Sequence, residues 1–258
     1  MKALKKVNII AHRGANRYAP QNTMPAFEKA LEIGVDGTET DVHSTKDGYI
    51  VICHNDTVDE MSDGTGRIAD YTFEDIRKLD FGKKFSSEFA GTTLPTVDEY
   101  LECMKSDESL SIINIEIKPC KGDRADIVRK TIDAAKRHGV FDKLLISSFD
   151  YKMLVEAKKV DPTCQTAYLY PIYAQILSSW GIRPIWLAKR IKCDAIHPHK
   201  NFINKLSIKR AHKAGMKVNA WTVNEEKDII RLIEIGVDGL ITDSPDEVKK
   251  IIDKHYSK

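Results

Sequence analysis

The sequence predicts an α/β fold, and within that class an eight-stranded TIM barrel, a (β/α)8 arrangement with a small insertion after the second strand. Short β-rich apolar runs alternate with longer amphipathic segments along the chain, which is typical of parallel strands covered by helices. The length of 258 residues suits one barrel domain over 1–258. No dinucleotide-binding or P-loop glycine motif supports the competing doubly wound open sheet.

The first elements follow from local patterns. Val7–Ala11 is predicted to be a strand, and Thr23–Ile33 a helix that ends at Gly34. Thr38–Val42 is the next strand. A Lys-Asp-Gly turn follows it, so Tyr49–Cys53 is predicted to return as the second arm of a hairpin, outside the eight strands that close the barrel.

Residues 56–98 interrupt this alternation with polar turns, a helical stretch over Thr72–Leu79 and an aromatic-rich segment. We interpret them as an insertion carried above the barrel. Thr96–Met104 is then a helix, with Thr96 as its cap and Glu99 at the capping-box position.

The alternation then resumes to the end of the chain. The remaining predicted strands are Ile112–Ile117, Leu144–Ser148, Thr166–Tyr170, Ala195–His197, Val218–Thr222 and Gly239–Thr242. The remaining predicted helices are Ala125–His138, Tyr151–Val160, Lys205–Ala214, Glu225–Ile235 and Pro245–His255. Pro171–Lys192 also has a helical composition, but Gly181 and Pro184 are expected to break it.

The composition excludes several classes of function. Forty basic and 38 acidic residues leave a net charge of +2, which provides no global attraction to nucleic acid or to an anionic membrane. The five cysteines are widely spaced and form no CxxC pair, so neither a disulfide framework nor a thiolate zinc site is expected. No signal peptide or transmembrane segment is recognisable, and free thiols suit a reducing compartment. We predict a cytoplasmic protein without stable membrane insertion.

His12 and Arg13 directly follow the first apolar strand. Active sites of TIM barrels lie at the carboxyl ends of the strands, so this position favours a functional role. The alternative for a single histidine here is a hydrogen bond to a neighbouring loop.

Two further strands carry pairs of charged residues. Glu39 and Asp41 are two residues apart, so their side chains share one face of a strand, as do Glu116 and Lys118. Carboxylates facing one another inside a barrel are costly, and a divalent cation such as Mg²⁺ or Ca²⁺ is the simplest compensation. Glu116 would supply a third carboxylate and Lys118 a phosphate contact. The alternatives are solvated faces or simple ion pairs.

The position of His54 follows from the register of the predicted hairpin. If residues 46–48 form the turn, residue 41 lies opposite 53 and residue 40 opposite 54. His54 is therefore expected beside Glu39 and Asp41. Two histidines, three carboxylates, an arginine and a lysine at one mouth favour metal-assisted chemistry on a phosphate.

These residues lie within motifs that resemble the bacterial glycerophosphodiester phosphodiesterase family over nearly the whole chain. The motifs are AHRGANRYAPQNTMPAF, GVDGTETDVHSTKDGYIVICHND, INIEIK, SSFD, AWTVN and GVDGLITDSP. The resemblance implies a TIM barrel enzyme that hydrolyses glycerophosphodiesters to sn-glycerol 3-phosphate and an alcohol. It implies one divalent cation on Glu39, Asp41 and Glu116, acid–base catalysis by His12 and His54, and phosphate binding by Arg13 and Lys118.

The resemblance also places Phe149 and Trp221 along the substrate cleft, where the alternative is core packing. The chain departs from the family at Gln21, where glutamate is usual, and at Asn55, where aspartate is common and Asp56 is a candidate replacement. Residues 163–200 match only loosely, so the motifs do not carry over a preference for one head group.

Three alternatives to this function remain open at the level of sequence. A lysophospholipase D-like or cyclising phosphodiesterase would use the same site, with an apolar surface from Phe81, Phe85 and Phe89 over the mouth. A degenerate barrel that binds phosphate compounds without turnover is disfavoured, because all the expected acidic and histidine positions are present. A sugar-phosphate enzyme is disfavoured, because the late glycines do not form a phosphate-binding loop.

Overall fold

The computed structural model describes residues 6–119, 124–170 and 182–256. Its strands are β1 Asn8–His12, β2 Gly37–Ser44, β3 Ile50–Ile52, β4 Ile112–Ile117, β5 Leu144–Ser148, β6 Gln165–Leu169, β7 Ala195–His197, β8 Lys217–Ala220 and β9 Gly239–Thr242. Eight of them pair in parallel in the order β1-β9-β8-β7-β6-β5-β4-β2, and the β1–β2 pairing closes the ring. The predicted TIM barrel is confirmed.

The helices in the described residues lie outside this ring. They are α1 Met24–Ile33, α2 Phe73–Ile76, α3 Val97–Lys105, α4 Arg124–Arg137, α5 Tyr151–Val160, α6 Ile182–Arg190, α7 Lys205–Lys213, α8 Glu226–Ile235 and α9 Pro245–Tyr256. The Thr96–Glu99 capping box is present at the start of α3. Within the described ranges, no helix is both long and apolar enough to cross a membrane.

Helix α6 corrects one expectation. Pro184 does not break the helix, because it lies in the first turn, where its missing N–H has no partner to lose. The preceding part of the predicted segment, including Gly181, lies outside the described residues. The predicted helix over Thr72–Leu79 is also shorter than expected, since α2 ends at Ile76.

Alternation along the strands separates two apolar regions. On β4, Ile113, Ile115 and Ile117 face the helices and belong to the main core. Ile112 faces inward, where an apolar plug fills the barrel axis with Ile10, Ile112, Leu145, Ala167, Ala195 and Ile241. This plug closes the interior below the polar side chains, so the polar groups open only towards the carboxyl ends of the strands.

Strand β3 runs antiparallel to β2, with the predicted hairpin register. Val42 pairs with Ile52, and the Cys53 backbone N–H donates to the Asp41 carbonyl over 3.0 Å. The chain from β3 to α3 then packs around its own small cluster, formed by Val51, Cys53, Val58, Ile68, Ile76, Phe81 and Leu94. Four cysteines are unpaired thiols, namely Cys53, Cys103, Cys164 and Cys193. Cys120 lies outside the described residues.

Candidate active site

A cavity of about 200 Å³ opens at the carboxyl ends of the barrel strands. It is lined by His12, Arg13, Glu39, His54, Asn114, Glu116, Lys118, Phe149, Leu169, His197, Trp221 and Ile241. Eight of the nine residues singled out from the sequence line this cavity, and the ninth, Asp41, contacts two of them. The barrel therefore gathers side chains from β1, β2 and β4 and from the loops that follow the strands.

Three carboxylates form a buried cluster beside the cavity. Oxygen atoms of Glu39, Asp41 and Glu116 all lie within 4.8 Å of one another. The cause is strand pairing: Asp41 lies opposite Glu116 in the β2–β4 ladder, and Glu39 shares the face of Asp41. An all-oxygen donor set of this kind is compatible with a hard divalent cation.

The electrostatics of this cluster favour a bound cation. Burial, together with the charges of Asp41 and Glu116, raises the pKa of Glu39 well above its usual value. Burial also raises the pKa of Glu116 to about 7, against the lowering effect of Lys118. Burial opposes ionisation of Asp41 as well, but Lys118 and Arg13 outweigh it and lower its pKa. If all three acids ionised beside only two cations, negative charge would be in surplus; the raised pKa values of Glu39 and Glu116 reflect this cost, which a divalent ion would offset.

Lys118 and Arg13 border the cluster from two sides. Lys118 Nζ lies 2.7 Å from Asp41 Oδ1 and 2.9 Å from Glu116 Oε1. Arg13 Nε lies 3.5 Å from Asp41 Oδ2, and the Arg13 backbone N–H donates to Glu39 Oε2 over 3.2 Å. Arg13 Nη1 also donates to Gln21 Oε1. Both cations line the cavity, where they can contact an anionic ligand.

The backbone that presents Arg13 is left-handed. Arg13 has φ 56° and Gly14 has φ 79°. A Cβ on Gly14 would lie 2.7 Å from the backbone of Ala26 in α1, so only glycine fits between the loop and the helix. This close packing on α1 holds the unfavourable Arg13 conformation in place, as is common at functional sites.

His12 is held by a carboxylate that the sequence reasoning did not identify. Its Nδ1 lies 2.6 Å from Asp243 Oδ1, just beyond β9. Asn16 Nδ2 donates to the same oxygen over 2.7 Å, and Asn224 Nδ2 donates to Asp243 Oδ2 over 2.6 Å. Although burial opposes it, the hydrogen bond from His12 lowers the pKa of Asp243. The position of Asp243 at a strand end was the available signal, the same one that identified His12.

His54 has a neutral partner. Its Nδ1 lies 2.7 Å from Asn55 Oδ1, and Asn55 Nδ2 donates to Glu60 Oε2 over 2.6 Å. Asn55 therefore occupies the partner position beside His54 itself. Burial lowers the pKa of His54 to about 4, so its imidazole is neutral around pH 7. Each histidine uses Nδ1 for support, which leaves Nε2 for a ligand.

Phe149 and Trp221 form an aromatic wall on the cavity. Their ring centroids are 5.8 Å apart, with an interplanar angle of 86°. Trp221 Nε1 donates to the His197 carbonyl over 2.8 Å, which fixes the indole against β7. Both rings are half-buried, so this wall lies nearer the mouth than the fully buried His197.

Comparison with known proteins gives one consistent result. Residues 12–247 match the model of the glycerophosphoryl diester phosphodiesterase family. A glycerophosphodiester phosphodiesterase of Caldanaerobacter subterraneus subsp. tengcongensis is 38% identical over 250 residues, which cover 96% of this chain and 99% of that protein. One from Bacillus altitudinis is 32% identical over 245 residues, covering 94% and 97%. The structure of an Oleispira antarctica phosphodiesterase in complex with the product sn-glycerol-3-phosphate superposes with a TM-score of 0.86 at 31% identity, covering 95% and 96%.

Proposed function

Because the chain belongs to the glycerophosphoryl diester phosphodiesterase family, we propose that it hydrolyses glycerophosphodiesters to sn-glycerol 3-phosphate and an alcohol by metal-dependent acid–base catalysis. The observation that supports this mechanism most directly is that His12 and His54 line one cavity and have different hydrogen-bond partners. That cavity also holds two cations and adjoins a buried carboxylate cluster. The ligand is a small molecule, as the product complex of the Oleispira relative supports.

Glu39, Asp41 and Glu116 would hold one divalent cation, Mg²⁺ or Ca²⁺, since among the described residues they form a cluster beside the cavity whose ligand atoms lie within 4.8 Å of one another. When bound, such a cation polarises a nonbridging phosphoryl oxygen and offsets the negative charge of the phosphate.

Arg13 and Lys118 bind the phosphate in this proposal. Both present cationic nitrogens at the cavity wall, and both are already oriented by Asp41. Pre-oriented cations stabilise the additional charge on the phosphoryl oxygens in the transition state without reorganising. Gln21 supports this arrangement, because its amide oxygen accepts from the Arg13 guanidinium.

The partners of the two histidines suggest their roles. His54 is neutral and has an amide as its partner, so its Nε2 takes the proton from the attacking hydroxyl. As the bond between phosphorus and the alcohol oxygen breaks, His12 donates the proton on Nε2 to that oxygen, and Asp243 stabilises the charged imidazole before transfer. Water and the glycerol 2-hydroxyl both qualify as the nucleophile. Only the hydroxyl gives a cyclic phosphate, which phosphorus NMR would detect.

The decisive experiment follows glycerol 3-phosphate release from glycerophosphocholine and glycerophosphoethanolamine. Activity should vanish with EDTA and return with MgCl₂ or CaCl₂. His12→Ala and His54→Ala should each lower kcat by about 10²- to 10⁴-fold. Full turnover by His54→Ala would rule out the acid–base assignment.

A lysophospholipase D-like activity is a second candidate on the same site. Phe85 of the insertion is 45% exposed and packs edge-on against Phe89, at 5.6 Å between ring centroids, so an apolar surface exists there. Phe81 does not contribute to it, because it is buried in the small cluster of the insertion. Comparing choline release from lysophosphatidylcholine and glycerophosphocholine separates the two activities. The cytoplasmic location stays a prediction, to which the free cysteines give support.

A further inference from the structure

Three uncharged polar side chains lie on the inward face of the barrel strands, and none of them has a role in the mechanism above. Asn114 precedes Glu116 by two residues on β4 and shares its inward face. Ser147 of β5 lies opposite Glu116 in the strand ladder, and His197 comes from β7. Asn114, Ser147 and His197 are each at most 1% exposed, and we call them the polar floor.

The polar floor contains hydrogen-bonding atoms without a partner among the described residues. They are Nδ2 and Oδ1 of Asn114, Oγ of Ser147 and Nδ1 of His197. Asn219 Nδ2 donates to His197 Nε2 over 3.0 Å, so the ring hydrogen is on Nδ1, which is a donor. Native proteins rarely keep buried polar atoms unpaired, so a concentration of them beside a cavity marks a place where a ligand or ordered water completes the bonds.

The chemistry of the polar floor suits neutral hydroxyl groups. Asn114 offers a donor and an acceptor, Ser147 offers either, and His197 offers a donor. Burial lowers the pKa of His197 to about 3, so the floor has no charge with which to pair a phosphate or an ammonium group. A hydroxyl both donates and accepts, which matches this mixed set.

The depth of the cavity indicates how a glycerophosphodiester is oriented in it. Asn114 and His197 line its buried part, whereas Phe149 and Trp221 are half-buried nearer the mouth. The glycerol half is common to all glycerophosphodiesters, and only the alcohol varies. A closed, hydrogen-bonding floor can select the glycerol half, which does not vary between substrates. The departing alcohol needs the open side of the cavity, towards the mouth.

We propose that Asn114 and His197 of the polar floor, which both line the cavity, bind the free hydroxyls of the glycerol moiety and so determine the selectivity for glycerol diesters. This deepens the proposed function and rests on it. A site that is built to hydrogen-bond a hydroxyl discriminates against an analogue that lacks it, because its own polar groups then remain unpaired.

The test compares glycerophosphocholine with 2-hydroxypropyl phosphocholine, which has the same alcohol and keeps the 2-hydroxyl, a candidate nucleophile, but lacks the terminal hydroxyl. The wild type should prefer the glycerol diester in kcat/KM by at least about tenfold. Asn114→Leu, which is similar in size but apolar, should lower this preference by about tenfold and weaken inhibition by glycerol 3-phosphate, with inhibition by propyl phosphate unchanged.

Thr166→Val is the matched control. Thr166 is likewise a fully buried polar residue next to a barrel strand position that faces the axis, Ala167, so Thr166 itself faces outward, away from the cavity. The preference of the Thr166→Val variant for the glycerol diester should equal that of the wild type.

The stability of the ligand-free protein gives a second readout. Asn114→Leu should not lower Tm, because the substitution removes unpaired buried groups, whereas replacing an asparagine with a purely structural role would lower Tm.

An unchanged preference in Asn114→Leu, or an equal loss on both substrates, would overturn the proposal. Failure of the proposed function looks different, since the wild type would then release no glycerol 3-phosphate from any glycerophosphodiester. In that event, calorimetric binding of glycerol 3-phosphate and propyl phosphate to the wild type and Asn114→Leu decides the role of the floor. Equal affinity for both ligands in both proteins would overturn it.

Discussion

His12 Nδ1 lies 2.6 Å from Asp243 Oδ1, although 231 residues separate them in the chain. The contact exists because the barrel closes. Strands β1 and β9 pair in parallel with Ala11 opposite Thr242, so the residues that follow them are neighbours at the mouth. The two asparagines that donate to Asp243 fix the carboxylate. The closure of the fold thus determines which nitrogen of His12 is free to act.

Asp243→Asn should therefore impair catalysis more than binding. The amide keeps the shape but loses the charge, and it can hold the imidazole in the wrong tautomer. We expect kcat to fall by about 10²- to 10⁴-fold with KM nearly unchanged, measured as steady-state release of glycerol 3-phosphate. Glu247→Gln, which changes a partly exposed acid nearby that pairs with Arg17, is the control and should retain wild-type kcat. A rise in KM with kcat intact would assign Asp243 to binding instead.

Asn55→Asp tests the neutral partner of His54. An aspartate 2.7 Å from Nδ1 would stabilise the protonated imidazole, so the pKa of His54 should rise from about 4. If His54 is the base, the acid limb of kcat/KM should move to higher pH, and activity at mildly acidic pH should fall. The measurement is the pH profile of both proteins, with Asn55→Ser as the uncharged control. An unmoved acid limb in Asn55→Asp would contradict the role of His54 as base.

Much of the fold could be predicted from sequence, because the decisive signals are local. Strand β4 and helix α5 have the bounds that their apolar patterns predict, and the register of the β2–β3 hairpin follows from its turn. Whether Pro184 breaks the helix could not be predicted, since this depends on where α6 begins. A proline is tolerated in the first turn and disruptive one turn later.

The site was predictable where one strand or one hairpin determines the geometry. The alternation of side chains along a strand places Glu39 on the same face as Asp41, and the pairing within the hairpin brings His54 back to them. Asp243 was missed because its partner lies at the other end of the chain, and only closure of the barrel joins them. Asn114 was missed because an amide has no charge to suggest a function.

Gln21→Ala should weaken phosphate binding. Without the amide oxygen, the Arg13 guanidinium loses the acceptor that holds it at the cavity wall. Hydrogen bonds to charged groups are worth about 1.5–3 kcal/mol, so we expect KM to rise by about 10-fold with a smaller change in kcat. Gln21→Glu keeps an acceptor and should retain the wild-type KM more closely than alanine. If both variants have the wild-type KM, Gln21 does not position Arg13.

Glu116→Gln should make the thermal stability of the protein less dependent on pH and on a bound metal ion. The pKa of Glu116 is raised from 4.5 to about 7, so folding favours its protonated form. This contribution is complete below about pH 4.5 and is lost as the pH rises through about 7, which lowers the free energy of unfolding of the metal-free protein by roughly 3 kcal/mol. A divalent cation should restore that stability, and more so at pH 8 than at pH 5, because it binds the ionised acid.

Thermal denaturation with EDTA and with MgCl₂ across this pH range measures both effects. In Glu116→Gln, the neutral amide removes the ionisation, so metal-free Tm should depend less on pH and the gain from MgCl₂ should shrink. Glu234→Gln changes an exposed acid on α8 and serves as the control, which should respond as the wild type does. A full MgCl₂ gain in Glu116→Gln would mean that Glu116 is not a ligand, because the cation would then be held without its carboxylate.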